Sequence, residues 1–266
     1  MTTPEPPKAP WKDLLNYHLS QNSSSEFTLA TVAYDATKKR HVPRARVCGF
    51  RGFFPNPQLH PSAVDALKTQ GDGLNPDVYE SDMLSFTTDV RMEKVGHIQP
   101  GSSESDAGSE VEMVFWLKDA GSQWRIKGDA FVIGDQDGGS VEDEAREEIQ
   151  RGLRIRSEDG CGRWTWERQV TTYFANHTPI LRGSFKSPSP GRPKSQDPQD
   201  PSLKPGQEVE DLHDSAARKN FRVVVVRPQE VERLDLSDYK NPARWTWTLV
   251  EDGKRQGLWD EVELWP

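Results

Sequence analysis

The chain reads as a mainly β protein, an antiparallel barrel with peripheral helices, and three observations carry that reading. Apolar segments come in pairs around short polar turns, as expected of hairpins. Strand-to-strand connections far outnumber strand–helix–strand units, so the helical patterns read as appendages to one sheet system. Finally, 9 Trp and 10 Phe concentrate in the periodic segments, while Ser, Pro, Gly, Asp and Glu crowd the stretches between. An overall apolar content of 33% therefore suffices for a core with long polar insertions.

The elements follow in chain order. Residues 1–10 are a Pro-rich leader, expected to be loose. Trp11, Leu14, Leu15 and Leu19 then fall on one helical face opened by Pro10. FTLATVAY (27–34), the turn DATKKR and a returning strand over 43–53 make the first hairpin. A polar insertion spans about 55–79, with a short helix over 62–69. MLSFTT (83–88) is the next strand and runs directly into a helical pattern starting at Asp89. After a polar loop at 100–110, EMVFWLK (112–118) and QWRIKGDAFVI (123–133) pair around DAGS. Ser140 with Asp143 resembles a capping box for a charged helix over 141–153. Trp166, Val170, Tyr173 and Phe174 mark another helix, ending near His177 and Pro179. The composition of 183–219 predicts a further polar insertion. FRVVVV (221–226), RWTWTLV (244–250) and a terminal LWP close one domain over 11–266, with no internal repeat.

Net charge is −8 and no Lys/Arg block is long enough for a nucleic-acid arm. No apolar run approaches membrane-spanning length, and the leader lacks the apolar core of a signal peptide. Two cysteines, Cys48 and Cys161, make no framework, which points to a reducing compartment, cytoplasmic or nuclear. The six histidines lie apart without metal-ligand spacing, so no metal site is expected. Acidic pairs in 142–148 read as a charged helix surface. No glycine-rich phosphate loop or nucleophile elbow is present, and no catalytic residue is assigned.

Against this acidic background, HVPRARVCGFRGF (41–53) places Arg44, Arg46 and Arg51 on one strand, a local excess that calls for a local anion. TTDVRMEK (87–94) is the second such place. A strand delivers Thr87 and Thr88 to a helix start, where free N–H groups and the helix dipole suit a phosphate. In that pattern Arg91 and Lys94 are neighbours on the first turn. Each piece alone also fits a plain reading, as a cap, a solvated helix face or charged protection of a strand edge. Residues 46 and 51 differ by an odd number and point to opposite faces of a regular strand. Either a bulge at Gly49 re-aims one of them or Arg51 reaches in from the strand end.

Taken together, RVCGFR, TTDVRMEK, QWRIKG, Arg244-Trp245-Thr246-Trp247 and the closing stretch Trp259 to Pro266 resemble the FMN-binding split barrel of the pyridoxamine 5′-phosphate oxidase superfamily. The nearest resemblance is to its branch of pyridoxamine oxidase-like FMN-binding proteins of cyanobacteria and fungi. The resemblance implies FMN as cofactor, its phosphate held by Arg46 and Arg51 with Lys94, Thr87, Thr88 and Arg91, and with Val47 in the same set. It implies Gln123 on the pyrimidine edge of the flavin, with Gly128 closing that strand, and Arg244 near the ring. It also implies a homodimer with flavin at the subunit interface and an oxidoreductase acting on an unidentified small substrate. The branch usually has Arg-Ser where this chain has Arg91-Met92, one hydroxyl donor fewer. In place of the Arg-x-His stretch that holds substrate phosphate in true oxidases stands Lys240-Asn241-Pro242-Ala243, so efficient pyridoxamine 5′-phosphate oxidation is not expected. Two alternatives stay open at this level: a flavin-binding sensor, store or interaction protein without turnover, and a barrel that has lost its flavin.

Overall fold

The computed structural model describes residues 6–99, 110–135, 139–196, 200–250 and 253–266. Residues 1–5 of the leader, the polar loop 100–109 and the Ser140 side chain lie outside the described residues.

Helix α1 (Lys12–Gln21) buries Leu15 completely, with Trp11 just before it also at zero exposure. The hairpin β1 (Glu26–Asp35) and β2 (Arg40–Phe53) pairs from Glu26↔Gly49 to Asp35↔Arg40. A short β3 (Asn56–Pro57) folds back on the end of β2. Helix α2 (Pro61–Thr69) starts at His60, whose ring nitrogen accepts from the Ser62 N–H. Next come β4 (Tyr79–Glu80), β5 (Leu84–Asp89), α3 (Glu93–Ile98) and the hairpin β6 (Glu110–Leu117) with β7 (Ser122–Ile133). The helix expected to begin at Asp89 begins four residues later, because Asp89 stays in the ladder opposite Phe221. Helix α4 (Gly139–Arg151) precedes β8 (Arg154–Ile155), which pairs with β4. Helices α5 (Trp166–Ala175), α6 (Pro179–Ser184) and α7 (Ser215–Asn220) are capped by the side chains of Thr165, Thr178 and Asp214. The chain closes with β9 (Phe221–Asp235), β10 (Ala243–Leu249) and β11 (Trp259–Leu264). Among the described residues no helix is long and apolar enough to cross a membrane.

All pairings are antiparallel. Among the described residues the main sheet has nine strands in the order β11-β10-β9-β5-β2-β1-β6-β7, with β3 on β2 and a further pairing of β7 with β9. The strand expected to end at Val226 continues to Asp235. Pro228 disguises this in the sequence, but it stands at a bulge where Gly128 faces it and the register shifts, so its missing N–H interrupts no regular ladder.

Two cores flank the sheet. Trp11, Phe27, Leu29, Phe86, Phe115 and Trp124 build one of them. Phe54, Leu67, Ile149, Val170, Phe174 and Phe221 build the other, beneath the helices. The run Val223 to Val226 has zero exposure throughout, because Val224 and Val226 enter the first core while Val223 and Val225 enter the second. Val209 and Leu212, within the stretch 183–219, are also buried in the second core.

A buried ion cluster ties the N-terminal segment to this frame. Asp82 accepts from Arg154 Nη1 at 2.7 Å, from Arg154 Nη2 at 2.6 Å and from the Ala9 N–H at 2.8 Å, with Lys12 Nζ at 3.3 Å. Burial pushes the Asp82 carboxyl up, but Arg154, Lys12 and the Ala9 N–H together outweigh it and hold it below its ordinary value. A folded-state value below the unfolded one stabilises fully above about pH 4 and is lost as pH falls through that range. Asp82→Asn is therefore expected to cost about 3 kcal/mol at neutral pH, because Arg154 and Lys12 stay buried without their anion. Urea unfolding at neutral and acid pH checks this, and the gap between wild type and variant should narrow on acidification. Gly128 has a different constraint: a Cβ there would lie 2.0 Å from the Arg227 carbonyl oxygen. Gly128→Ala is expected to lower stability by about 3 kcal/mol through overpacking, measurable by thermal unfolding.

Candidate anion site

Arg46 lies opposite Leu29, and its row across the sheet continues through Met113 and Ile126, all three wholly buried. Directly paired residues share a face, so Arg46 points to the inner face, at the margin of the first core. Its Nη1 donates to Thr31 Oγ1 at 2.7 Å, to the Arg44 carbonyl at 3.2 Å and to the Leu29 carbonyl at 3.3 Å. The described bonds all use Nη1, leaving the Nε–Nη2 edge, the side of the fork that grips a phosphate with two parallel bonds.

Lys94, on the first turn of α3, is buried and donates to Thr88 Oγ1 at 3.0 Å. Burial holds both Arg46 and Lys94 below their ordinary pKa values. For Lys94, the repulsion of Arg46 adds to the effect. Among the described residues neither cation has a carboxylate within salt-bridge distance. Cys48 sits with them; burial raises its thiol pKa, and Lys94 and Arg46 oppose that rise. The sequence offered no signal for Thr31 or His97, yet His97 Nδ1 lies 3.0 Å from Thr31 Oγ1 and completes the group.

Arg51 goes elsewhere. The β2–β5 register shifts between Phe50 and Gly52, so the bulge falls at Arg51 rather than at Gly49. Gly52, with φ of +110°, supplies the backbone conformation the bulge needs. Because the shift comes only after Phe50, alternation from Arg46 is unbroken and Arg51 keeps the opposite face, toward the helices, its Nη2 3.1 Å from His177 Nε2. Thr87 Oγ1 lies 2.9 Å from the same nitrogen. His177 Nδ1 lies 2.9 Å from the Tyr173 carbonyl, an acceptor only, so that ring nitrogen carries the proton and Nε2 accepts from both partners. Burial, then the charge of Arg51, hold His177 near a pKa of about 3. Thr87 and Thr88 are consecutive on a strand and so serve opposite faces, Thr87 with Arg51 and Thr88 with Lys94.

Arg91 precedes α3 rather than sharing its first turn with Lys94. Its guanidinium donates to both Asp89 carboxylate oxygens, at 2.9 and 2.6 Å, and to the carbonyls of Ser187 at 2.9 Å and Phe185 at 3.3 Å. Met92 occupies the N-cap position without a side-chain cap.

Gln123 and Arg244 share a third locus. Trp116, Gln123, Leu234, Arg244 and Leu264 occupy one row across β6, β7, β9, β10 and β11. Trp116 is 50% exposed, which makes this the outer face, opposite the one Arg46 uses. Arg244 Nε is buried there without a partner among the described residues. Val47, 65% exposed, lies on the same outer face.

Residues 8–134 match the family model of the pyridoxamine 5′-phosphate oxidase FMN-binding domain, a span that contains Arg46, Lys94 and Gln123 but not Arg244. Among solved structures, a pyridoxamine 5′-phosphate oxidase-related, FMN binding protein from Nostoc punctiforme PCC 73102 is similar over 100% of both chains, at 19% identity and a TM-score of 0.55. PhzG from Burkholderia lata 383, solved with tetrahydrophenazine-1-carboxylic acid, is similar over 100% of this chain and 98% of its own, at 14% identity and a TM-score of 0.47. No curated protein matches the chain in sequence. The Nostoc likeness shows a shared fold, mainly antiparallel sheet with several helices.

The His177 geometry has a measurable consequence. Its folded-state pKa lies below the value of about 6.5 of an unfolded histidine, so stability falls as pH drops below about 6.5 and continues to fall toward about pH 3. His177→Gln keeps an acceptor but does not titrate. It is expected to be less stable than wild type near about pH 8, yet to lose less stability between about pH 8 and about pH 5. A wild-type slope in urea titrations of the variant would contradict the neutral-acceptor assignment.

Proposed function

We propose that this chain is an FMN-binding protein of the pyridoxamine 5′-phosphate oxidase type, an antiparallel split barrel that works as a homodimeric, flavin-dependent oxidoreductase on a small substrate. On its sequence motifs we place it in the branch of cyanobacterial and fungal FMN-binding relatives. On this reading residues 11–266 form one domain carrying polar insertions at about 55–79, 100–110 and 183–219, after a leader over 1–10.

The observation that carries the reading is the Arg46–Lys94 pair: two desolvated cations, no carboxylate on either among the described residues, and one guanidinium edge unclaimed. Burying cations in this way is unfavourable unless an anion joins them. A phosphate monoester fits: it takes two bonds from Arg46 and one from Lys94, and the Thr88 hydroxyl, which donates only a long 3.4 Å bond to the Asp89 carbonyl, can turn its proton to it. The sheet supports the barrel, since successive pairings run β9–β5–β2–β1–β6–β7 and return to β9.

The separation of the two loci supports the dimer. Arg46 and Lys94 serve the inner face, whereas Gln123 and Arg244 serve the outer one. If both sets contact one flavin, they come from two chains facing each other. The unpartnered Arg244 Nε suits a ring acceptor there, and Gln123 offers a donor and an acceptor to the pyrimidine edge. FMN, when bound, supplies the hydride-transfer chemistry, and the protein supplies binding and charge. Arg51 and Thr87 stand across the strand from this phosphate site, and Arg91 is held by Asp89. We therefore assign the phosphate to Arg46, Lys94 and Thr88.

The test is a visible spectrum after incubation with FMN and desalting. Wild type is expected to stay yellow, and Arg46→Ala and Lys94→Ala to bind at least about tenfold more weakly, the loss of one charge-assisted bond. A colourless wild type at high micromolar FMN would overturn the flavin reading.

A further inference from the structure

The contacts behind Arg46 point to residues that no part of the cofactor reading requires. Thr31 stands on β1, two residues along from the cross-strand partner of Arg46, and is 4% exposed. Its hydroxyl accepts from Arg46 Nη1 at 2.7 Å, the shortest of the three bonds that nitrogen makes. The hydroxyl proton is then free to point at His97 Nδ1, 3.0 Å away. That bond requires an imidazole with Nδ1 bare and the proton on Nε2. Burial, Arg46 and Arg44 hold the His97 pKa down against the opposing charge of Glu93, so the ring is neutral at neutral pH. His97 belongs to the same short helix as Lys94 and stands three residues later, on the same side. One hydroxyl thus joins three elements: it fixes the guanidinium on β2, and through His97 it fixes the helix that carries the second cation.

We infer that Thr31 and His97 are positioning residues for the phosphate site, Thr31 orienting the Arg46 fork so that its Nε–Nη2 edge meets the anion. This rests on the FMN reading above. The physical gain is preorganisation. A free arginine side chain surrenders rotamer entropy when it is fixed. Holding Nη1 before the ligand arrives removes part of that loss from the binding step. A threonine that merely filled the core would contribute its methyl group, and valine would replace it without effect on any ligand.

Comparison of FMN with riboflavin, which lacks the phosphate, separates these roles. Flavin fluorescence titration of wild type, Thr31→Val, Thr31→Ser and His97→Ala supplies both dissociation constants. Thr31→Val is expected to weaken FMN binding about tenfold, the equivalent of one hydrogen bond to a charged group, and to leave riboflavin affinity unchanged. Thr31→Ser restores the hydroxyl and should bind FMN as wild type does. His97→Ala keeps Thr31 and should weaken FMN by a smaller factor, again sparing riboflavin; it also covers the case in which the valine variant fails to fold. FMN affinity unchanged in both Thr31→Val and His97→Ala overturns the inference, as does an equal loss for both flavins. Wild type that binds neither flavin overturns the functional reading itself, an outcome distinct from wild type that binds FMN with variants indifferent to the phosphate.

Discussion

The double pairing of β9 is the constraint on which the other features of this molecule rest. This strand is 15 residues long; β7 follows one edge nearly throughout, while β5 and then β10 share the other. Such a strand must satisfy hydrogen bonds along both edges and apolar contacts on both faces. Its run of four buried valines does the second, each adding about 1.5 kcal/mol or more of burial. The change of neighbour from β5 to β10 opens the sheet. Beyond it, β10 and β11 extend the outer face and place Arg244 in line with Gln123.

Positive charge is treated in two contrasting ways inside this frame. Around Asp82, buried cations meet a carboxylate with close geometry, and the cluster serves as a fastening between α1, the bend before β5, and β8. Around Arg46 and Lys94, cations of similar burial meet hydroxyls and carbonyls instead. The first arrangement is complete as it stands. The second has no carboxylate within salt-bridge distance among the described residues, only the more distant charges of Glu93 and Asp89, and the proposed phosphate site rests on that asymmetry. Arg51 shows a third treatment, a cation held against a neutral imidazole at the sheet–helix boundary.

Much of the frame was legible in the residues alone. The hairpins 27–34 with 43–53 and 112–118 with 123–133 appear where alternation and turn chemistry place them, as do the helices opened after Pro10, at Pro61 and at Trp166. The errors fall where a long-range partner overrides a local signal. Asp89 looks like a helix start, but its ladder with Phe221 keeps it extended. Pro228 looks like a strand end, but the bulge opposite Gly128 accommodates it.

Sequence by itself therefore determined the strand-rich class, the order of elements and the two segments where cationic side chains concentrate, because periodicity, turn preference and composition are local properties. The grouping of those residues belonged to the tertiary structure alone. Whether Arg46 and Arg51 share a face depends on where a bulge lies, and the bulge depends on how β2 registers with β5. Two lone histidines, His97 and His177, acquired roles only when folding brought them to residues 66 and 90 positions away along the chain, Thr31 and Thr87. No spacing rule encodes such contacts, since they are made by packing between elements rather than within them.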